Sequence, residues 1–301
     1  MASLVPILFA SMAHGLWKPA KSGFPGYTFA TENLWKPAKT NVPSFTFTSD
    51  NLVKDPKTNN NVTLQFIHIP KCAGSSVEDM GAEYGFSWGR HNLQDTVLRA
   101  EHPKCMGAQY YHGVPVGKKS ESTKTFCIVR DPYERTISQI KWELTCGGRH
   151  APCPSADLLN ELIQTQLDRN MVERQWPCHW VQQYLYVKNC DHVLRHAHLD
   201  EDIAKLAQHY GVDFRMGETH EMNDGTNLGN GECKLNTSML SKETMVRLEK
   251  EYHLDAELLT WLNDDVIQNN EKLGLRNRLE ALDDEQVRGF EVSGVWKWHG
   301  L

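Results

Sequence analysis

Apolar positions along the chain change their period several times, and the changes divide it into elements. A β-branched and aromatic run from Val62 to Ile69, ended by Pro70, predicts a strand. Thr123 to Val129 predicts a second that runs into Arg130-Asp131-Pro132, with a short strand at Gln109 to Val114 before it and another at Asp191 to Arg195 after it. Helical spacing follows the strands. Beyond the Lys71-Cys72-Ala73-Gly74 turn, Ser75 and Glu78 stand at capping-box spacing and predict a helix start. Asp131 as N-cap, Pro132 at the first helical position and Glu134 behind it predict another. Ile137, Ile140 and Leu144 give that helix its inner face, and Gly147-Gly148 its end. Leu158, Leu159, Leu162 and Ile163 mark a third helix; Ile203, Leu206 and Tyr210, stopped by Gly211, mark a fourth. Ser241 caps a longer helix carrying Met245, Leu248 and Tyr252, with Leu258, Leu259 and Leu262 beyond. Gly217 to Lys234, rich in Gly and Asn, reads as a mobile loop. Strands alternating with helices predict an α/β fold, a parallel sheet covered on both faces, with ligands beyond the carboxyl ends of its strands.

The N-terminal stretch has a different texture. Leu16-Trp17-Lys18-Pro19-Ala20-Lys21 recurs 18 residues later as Leu34-Trp35-Lys36-Pro37-Ala38-Lys39, and again, degraded, as Leu52-Val53-Lys54-Asp55-Pro56-Lys57. Units this short cannot bury a core alone. Residues 1–58 therefore read as an extension, a duplicated linker in preference to strips anchored by Trp17 and Trp35, and residues 59–301 as the folded domain.

Composition narrows the class. The chain of 301 residues is 40% hydrophobic and 23% charged, an ordinary globular balance, which sets disorder aside. Its net charge of −6, with no Lys/Arg block longer than two, disfavours a nucleic-acid partner. No apolar run approaches the ~18 residues a bilayer span needs. Leu4 to Ala13 lacks a basic leader and reads as a bland apolar terminus, although Ser11-Met12-Ala13 has the small residues of a cleavage site. None of the 8 cysteines stands in a CxxC pair, which removes the common zinc and thioredoxin readings, and no metal site is expected. Cys146 and Cys153, flanking Gly-Gly and two prolines, suit a small disulfide loop. The sequons at Asn61 and Asn236 matter only in a secreted chain. The compartment stays open between a soluble, cytoplasmic protein and a lumenal one.

Two strand-to-helix junctions carry chemistry suited to anions. At the first, Gly74 lets backbone approach a phosphate, the helix start at Ser75 and Ser76 offers N–H donors, and Lys71 adds a point charge. Lys71 precedes Gly74, so the GxxxxGK[ST] pattern of ATPases and GTPases is absent. At the second, Arg130 ends its strand and Ser138 lies two turns into the next helix, on a face shared with Arg135; an Arg fork with a hydroxyl receives a separate phosphate. The bland alternative pairs Arg130 and Arg135 with Asp131 and Glu134.

Phe66-Ile67-His68-Ile69-Pro70-Lys71-Cys72-Ala73-Gly74-Ser75-Ser76 followed by Phe126-Cys127-Ile128-Val129-Arg130-Asp131-Pro132-Tyr133-Glu134-Arg135 and Ser138 resembles the sulfotransferase superfamily, in its membrane-type, carbohydrate-sulfotransferase-like branch (sulfotransferase family 2). Cys178-His179, Gln182-Gln183-Tyr184, Asp191 to Arg195 and Lys234-Leu235-Asn236-Thr237-Ser238 also resemble it, so the likeness covers about residues 62–262. The chain departs from the branch's first motif with Cys72 and Ala73 for Thr and Gly and Ser75 for Thr; Ala73, lacking glycine's access to left-handed backbone, implies a tighter loop. The resemblance implies a P-loop-like, three-layer fold with a central, mainly parallel sheet. It implies 3′-phosphoadenosine 5′-phosphosulfate (PAPS) as co-substrate, with no metal required. Lys71, Gly74, Ser75 and Ser76 would hold the 5′-phosphosulfate and Arg130 and Ser138 the 3′-phosphate, while Lys234 to Ser238 would close over the nucleotide.

The implied activity is transfer of a sulfuryl group to a hydroxyl, or an amine, of a carbohydrate or small metabolite. Lys71 would stabilise the leaving oxygen, and a base must take the acceptor's proton. Among 14 histidines, His112 ends the predicted strand between the two motifs and is the candidate base. His68, on a buried strand, reads as a core residue, Glu78 as a cap, and His179 as either an acceptor contact or core. The alternatives are a nucleotide-dependent phosphotransferase (kinase), for which Asp131 is the acidic metal-ligand candidate, and a non-catalytic nucleotide-binding interaction protein.

Overall fold

The computed structural model describes residues 51–91, 119–145, 153–169, 172, 178–217 and 233–262. Outside them lie the two intact repeat copies, the strand expected at 109–114 with His112, the Gly147-Gly148 stop, Cys146, and most of the 217–234 loop. Four strands form one sheet in the order β1 (Leu52–Lys54), β2 (Asn61–Ile67), β3 (Thr123–Val129), β4 (His192–Arg195). β2, β3 and β4 run parallel, with Phe66 opposite Phe126 and Phe126 opposite His192. β1 adds an antiparallel edge. That edge strand is the degraded third repeat: Val53 has become a buried position, and Asp55 turns the chain by accepting the backbone N–H of Lys57 at 2.8 Å.

β3 is buried over its last five residues, from Thr125 to Val129, as a central parallel strand must be, whereas β2 alternates. The sheet's core cluster gathers Leu64, Phe66, Phe126 and Ile128 with Val77 and Met80 of α1 (Gly74–Glu83). Ile203, Leu206 and Tyr210 of α5 (Leu199–Tyr210) join it, as does Leu258 of α7 (His253–Trp261). A second cluster is helical: Ile137, Ile140 and Leu144 of α2 (Pro132–Thr145) meet Leu159 and Ile163 of α3 (Ala156–Asp168) and Leu248 of α6 (Lys242–Glu251). The short α4 (Tyr184–Val187) joins the first cluster through Tyr184, Tyr186 and Val187. The fold is thus α/β, a mostly parallel four-stranded sheet with helices.

Several local expectations hold. Asp131 Oδ1 accepts the N–H groups of Tyr133 and Glu134, Ser241 accepts from Thr244, and Gly211 closes α5 at φ 64°. Others are corrected. α1 has no Ser75 capping box: it begins at Gly74 with Ala73, whose methyl has no acceptor, as N-cap, and Glu78 faces inward to His68. The C-terminal helix breaks at Tyr252, whose hydroxyl donates to the Trp180 carbonyl at 2.7 Å, and Met245 faces outward. Cys153 pairs with Cys233, 80 residues away, and not with Cys146, because the start of α3 packs against the segment before α6. A second disulfide joins Cys127 of β3 to Cys190.

Candidate functional site

Parallel strands bring chain segments distant in sequence to one edge, and here β2 and β3 are neighbours, so their carboxyl-terminal loops lie side by side. The β2 loop is built on alternating backbone hand. Lys71 has φ 68° and Ala73 φ 62°, with Cys72 between them outside the positive-φ region. Such alternation is the backbone form of an anion-binding nest, although here the Cys72 N–H turns back to the Ile69 carbonyl at 3.3 Å. Ala73 therefore adopts the left-handed conformation that its side chain disfavours, against the tighter loop anticipated from its Cβ. Gly74 is required for another reason: a Cβ there would stand 2.2 Å from His68 Nε2. The His68 ring is in turn held by Glu78, whose Oε1 lies 2.6 Å from Nδ1, with both residues buried. His68 is thus a core residue that shapes the loop from below. Ser75 is half-buried and Ser76 buried in the first turn of α1, and Lys71 Nζ lies 5.8 Å from the Trp142 ring centroid.

The β3 loop is tied to this one. Arg130 Nη1 is 3.4 Å from the Lys71 carbonyl, and its Nε donates to Glu134 at 3.2 Å. Arg135 does not share a face with Ser138; it is buried and donates to the Pro70 and His179 carbonyls, each at 3.0 Å. Beneath both loops sits Gln183, fully buried. Its Oε1 accepts from the Arg130 N–H at 2.9 Å and the Cys72 thiol at 3.2 Å; its Nε2 donates to the Arg130 carbonyl at 2.8 Å and to Asp255 at 3.4 Å. Burial raises the Cys72 thiol to about 11, keeping it protonated as that donor, and burial likewise raises Asp255 against the opposing charge of Arg135.

A cleft of about 260 Å³ opens beside the β3 loop, lined by Arg130, Glu134, Ser138 and Lys141 on one side and Leu235, Asn236 and Thr237 on the other. The far wall is held by the Cys153–Cys233 disulfide and by Asn160, which donates to the Met239 carbonyl at 2.8 Å and accepts from the Ser241 N–H at 2.7 Å. Arg130, Ser138 and part of the 234–238 segment are thus brought together. Lys234 and Ser238 themselves are exposed, Ser238 donating to Asn236 Oδ1 at 2.6 Å. His179 is buried, its Nδ1 2.9 Å from Gln139 Oε1 and its ring 4.5 Å from that of Trp142, which lies under the Lys71 side chain.

Three contributors, Lys141, Asp255 and His196, were not singled out from sequence, and Gln183 was named only within the Gln182-Gln183-Tyr184 anchor. Lys141 follows Ser138 by one helical turn, so extending the Ser138 face would have found it. The bridging role of Gln183, and Asp255 altogether, carry no local signal, since the partners of Gln183 are 53 and 72 residues away. His196 follows β4, whose last residue Arg195 pairs with Val129, and is close enough to Arg130 to feel its charge; burial, then Arg130, lowers its pKa to about 4. No protein-family model matches the chain, and neither a curated protein nor a solved structure is similar enough to it to carry an assignment.

Proposed function

We propose that the chain is a sulfotransferase using PAPS as donor, on the resemblance of its two junction motifs to that superfamily, with an α/β fold of a mostly parallel sheet and helices compatible with it. The observation that carries the reading is the cleft shared by Arg130, Ser138 and the 236–237 segment, alongside the Lys71–Ser76 nest. Two separate anion receptors on neighbouring strand ends suit a nucleotide with phosphate groups at both its 3′ and 5′ positions; one contiguous phosphate chain needs only one. Asp131, the metal-ligand candidate of a phosphotransferase, spends Oδ1 on the first turn of α2. The nest and Lys71 would take the 5′ end, and Lys71 would neutralise charge gathering on the oxygen that leaves with the nucleotide. The acceptor is a hydroxyl or amine of a carbohydrate or small metabolite. His112 remains the candidate base on its place between the motifs.

Adenosine 3′,5′-bisphosphate, the nucleotide product, tests this directly. At a hundredfold excess over its dissociation constant it should stabilise the fold by about 2.7 kcal/mol, read as a rise in Tm. Adenosine 5′-phosphate at the same concentration should do much less. Equal shifts from the two nucleotides would remove the role given to Arg130 and Ser138.

A further inference from the structure

The Arg130 end of the cleft is not open to a dianion as it stands. Arg130, Glu134 and Lys141 stand on the same wall, and Glu134 holds Arg130. Glu134, Ser138 and Lys141 succeed one another at spacings of four and three on α2, so they form a continuous stripe facing one occupant. Glu134 is half exposed and holds Arg130 through an i,i+4 pair at 3.2 Å. Such a pair is weak and easily exchanged, because both partners keep access to water. A phosphate monoester carries close to two negative charges and three acceptor oxygens, and an arginine fork favours it over a single carboxylate.

We infer that Lys141 is a further ligand of the phosphate at the Arg130 end of the site, and that Glu134 is a placeholder which a phosphate monoester displaces from Arg130. With Glu134 swung to solvent, Arg130 and Lys141 balance the dianion, and Ser138, between them on the stripe, donates its hydroxyl. The carboxylate then acts as a selectivity filter: a weakly charged or neutral group cannot dislodge it. The inference rests on the nucleotide reading above and adds to it the residues that set preference for a terminal phosphate.

Calorimetric titration with adenosine 3′,5′-bisphosphate and with adenosine 5′-phosphate separates the two claims. Lys141→Met should lower bisphosphate affinity about tenfold, the loss of one charge-assisted contact, and leave 5′-phosphate affinity unchanged. Lys141→Arg should retain bisphosphate affinity, which guards against a folding defect in the first variant. Glu134→Gln should raise bisphosphate affinity roughly threefold and narrow the discrimination against less charged ligands. If the wild type prefers the bisphosphate but Lys141→Met binds it equally well, or Lys141→Met weakens both nucleotides alike, the inference is wrong and the nucleotide reading stands. An unchanged or lower bisphosphate affinity in Glu134→Gln overturns the placeholder role. If the wild type does not distinguish the nucleotides, reading and inference fall together.

Discussion

At the scale of single residues, the β2 loop holds its shape against two local preferences. Ala73 at φ 62° stands where an L-residue costs about 1–2 kcal/mol, and glycine there would regain that at an entropic cost of about 0.5–1 kcal/mol. Ala73→Gly should therefore raise stability by roughly 0.5–1 kcal/mol in urea unfolding. Gly74→Ala should do the reverse, losing about 1–3 kcal/mol as the methyl is driven into the His68 ring that Glu78 holds. An Ala73→Gly variant that unfolds more easily would mean the left-handed backbone is not the loop's resting state. These residues show what sequence could and could not disclose. The turn between β2 and α1 was readable because its glycine, lysine and two serines lie within a few residues of one another. The left-handed hand of Ala73 was not, because tertiary packing overrides the preference of its Cβ, and Glu78 read as a cap only because its partner His68, just past β2, was out of view.

Between elements, the cleft's two walls have different origins. One is a helix face, legible from its period; the other is an irregular segment whose position depends on a cross-link 80 residues long and on Asn160. The paired variant Cys153→Ser with Cys233→Ser should lose about 2–4 kcal/mol of stability. It should also weaken bisphosphate binding several-fold, because Leu235 to Thr237 would no longer stand opposite Arg130. Lowered stability with undiminished affinity would show that Asn160 alone suffices to hold that wall. Strand boundaries and caps were largely legible, Thr123–Val129 to the residue, since alternation and capping are local. Disulfide pairing was not, because nearness in sequence says little about nearness in space.

For the whole molecule, two disulfides among the described residues suit an oxidising compartment, which makes the exposed sequon at Asn61 relevant to the folded protein. Acid should weaken the fold through His196. Burial and Arg130 lower its folded pKa to about 4, whereas the unfolded chain takes up that proton near 6.5. The unfolded state thus binds more protons between those values, so stability falls as pH drops from 6.5 toward 4, by at most about 3 kcal/mol from this group. His196→Gln should flatten that limb of a Tm-against-pH profile; an unaltered limb would place the sensitivity elsewhere. The gross architecture was readable from alternating periods, and the edge strand was not, since it came from a segment that looked like linker.

Because four side-chain hydrogen bonds of Gln183 join Cys72 in one loop to Arg130 in the other, with Asp255 behind them, the two loops stand like the jaws of a caliper set at one opening. A caliper gauges span. Molecules carrying the same charges at a different separation engage one jaw at a time and forfeit the gain of double attachment, however strong each grip is. In the nucleotide reading, discrimination between positional isomers of a bisphosphate would then be set by a buried amide that touches neither phosphate.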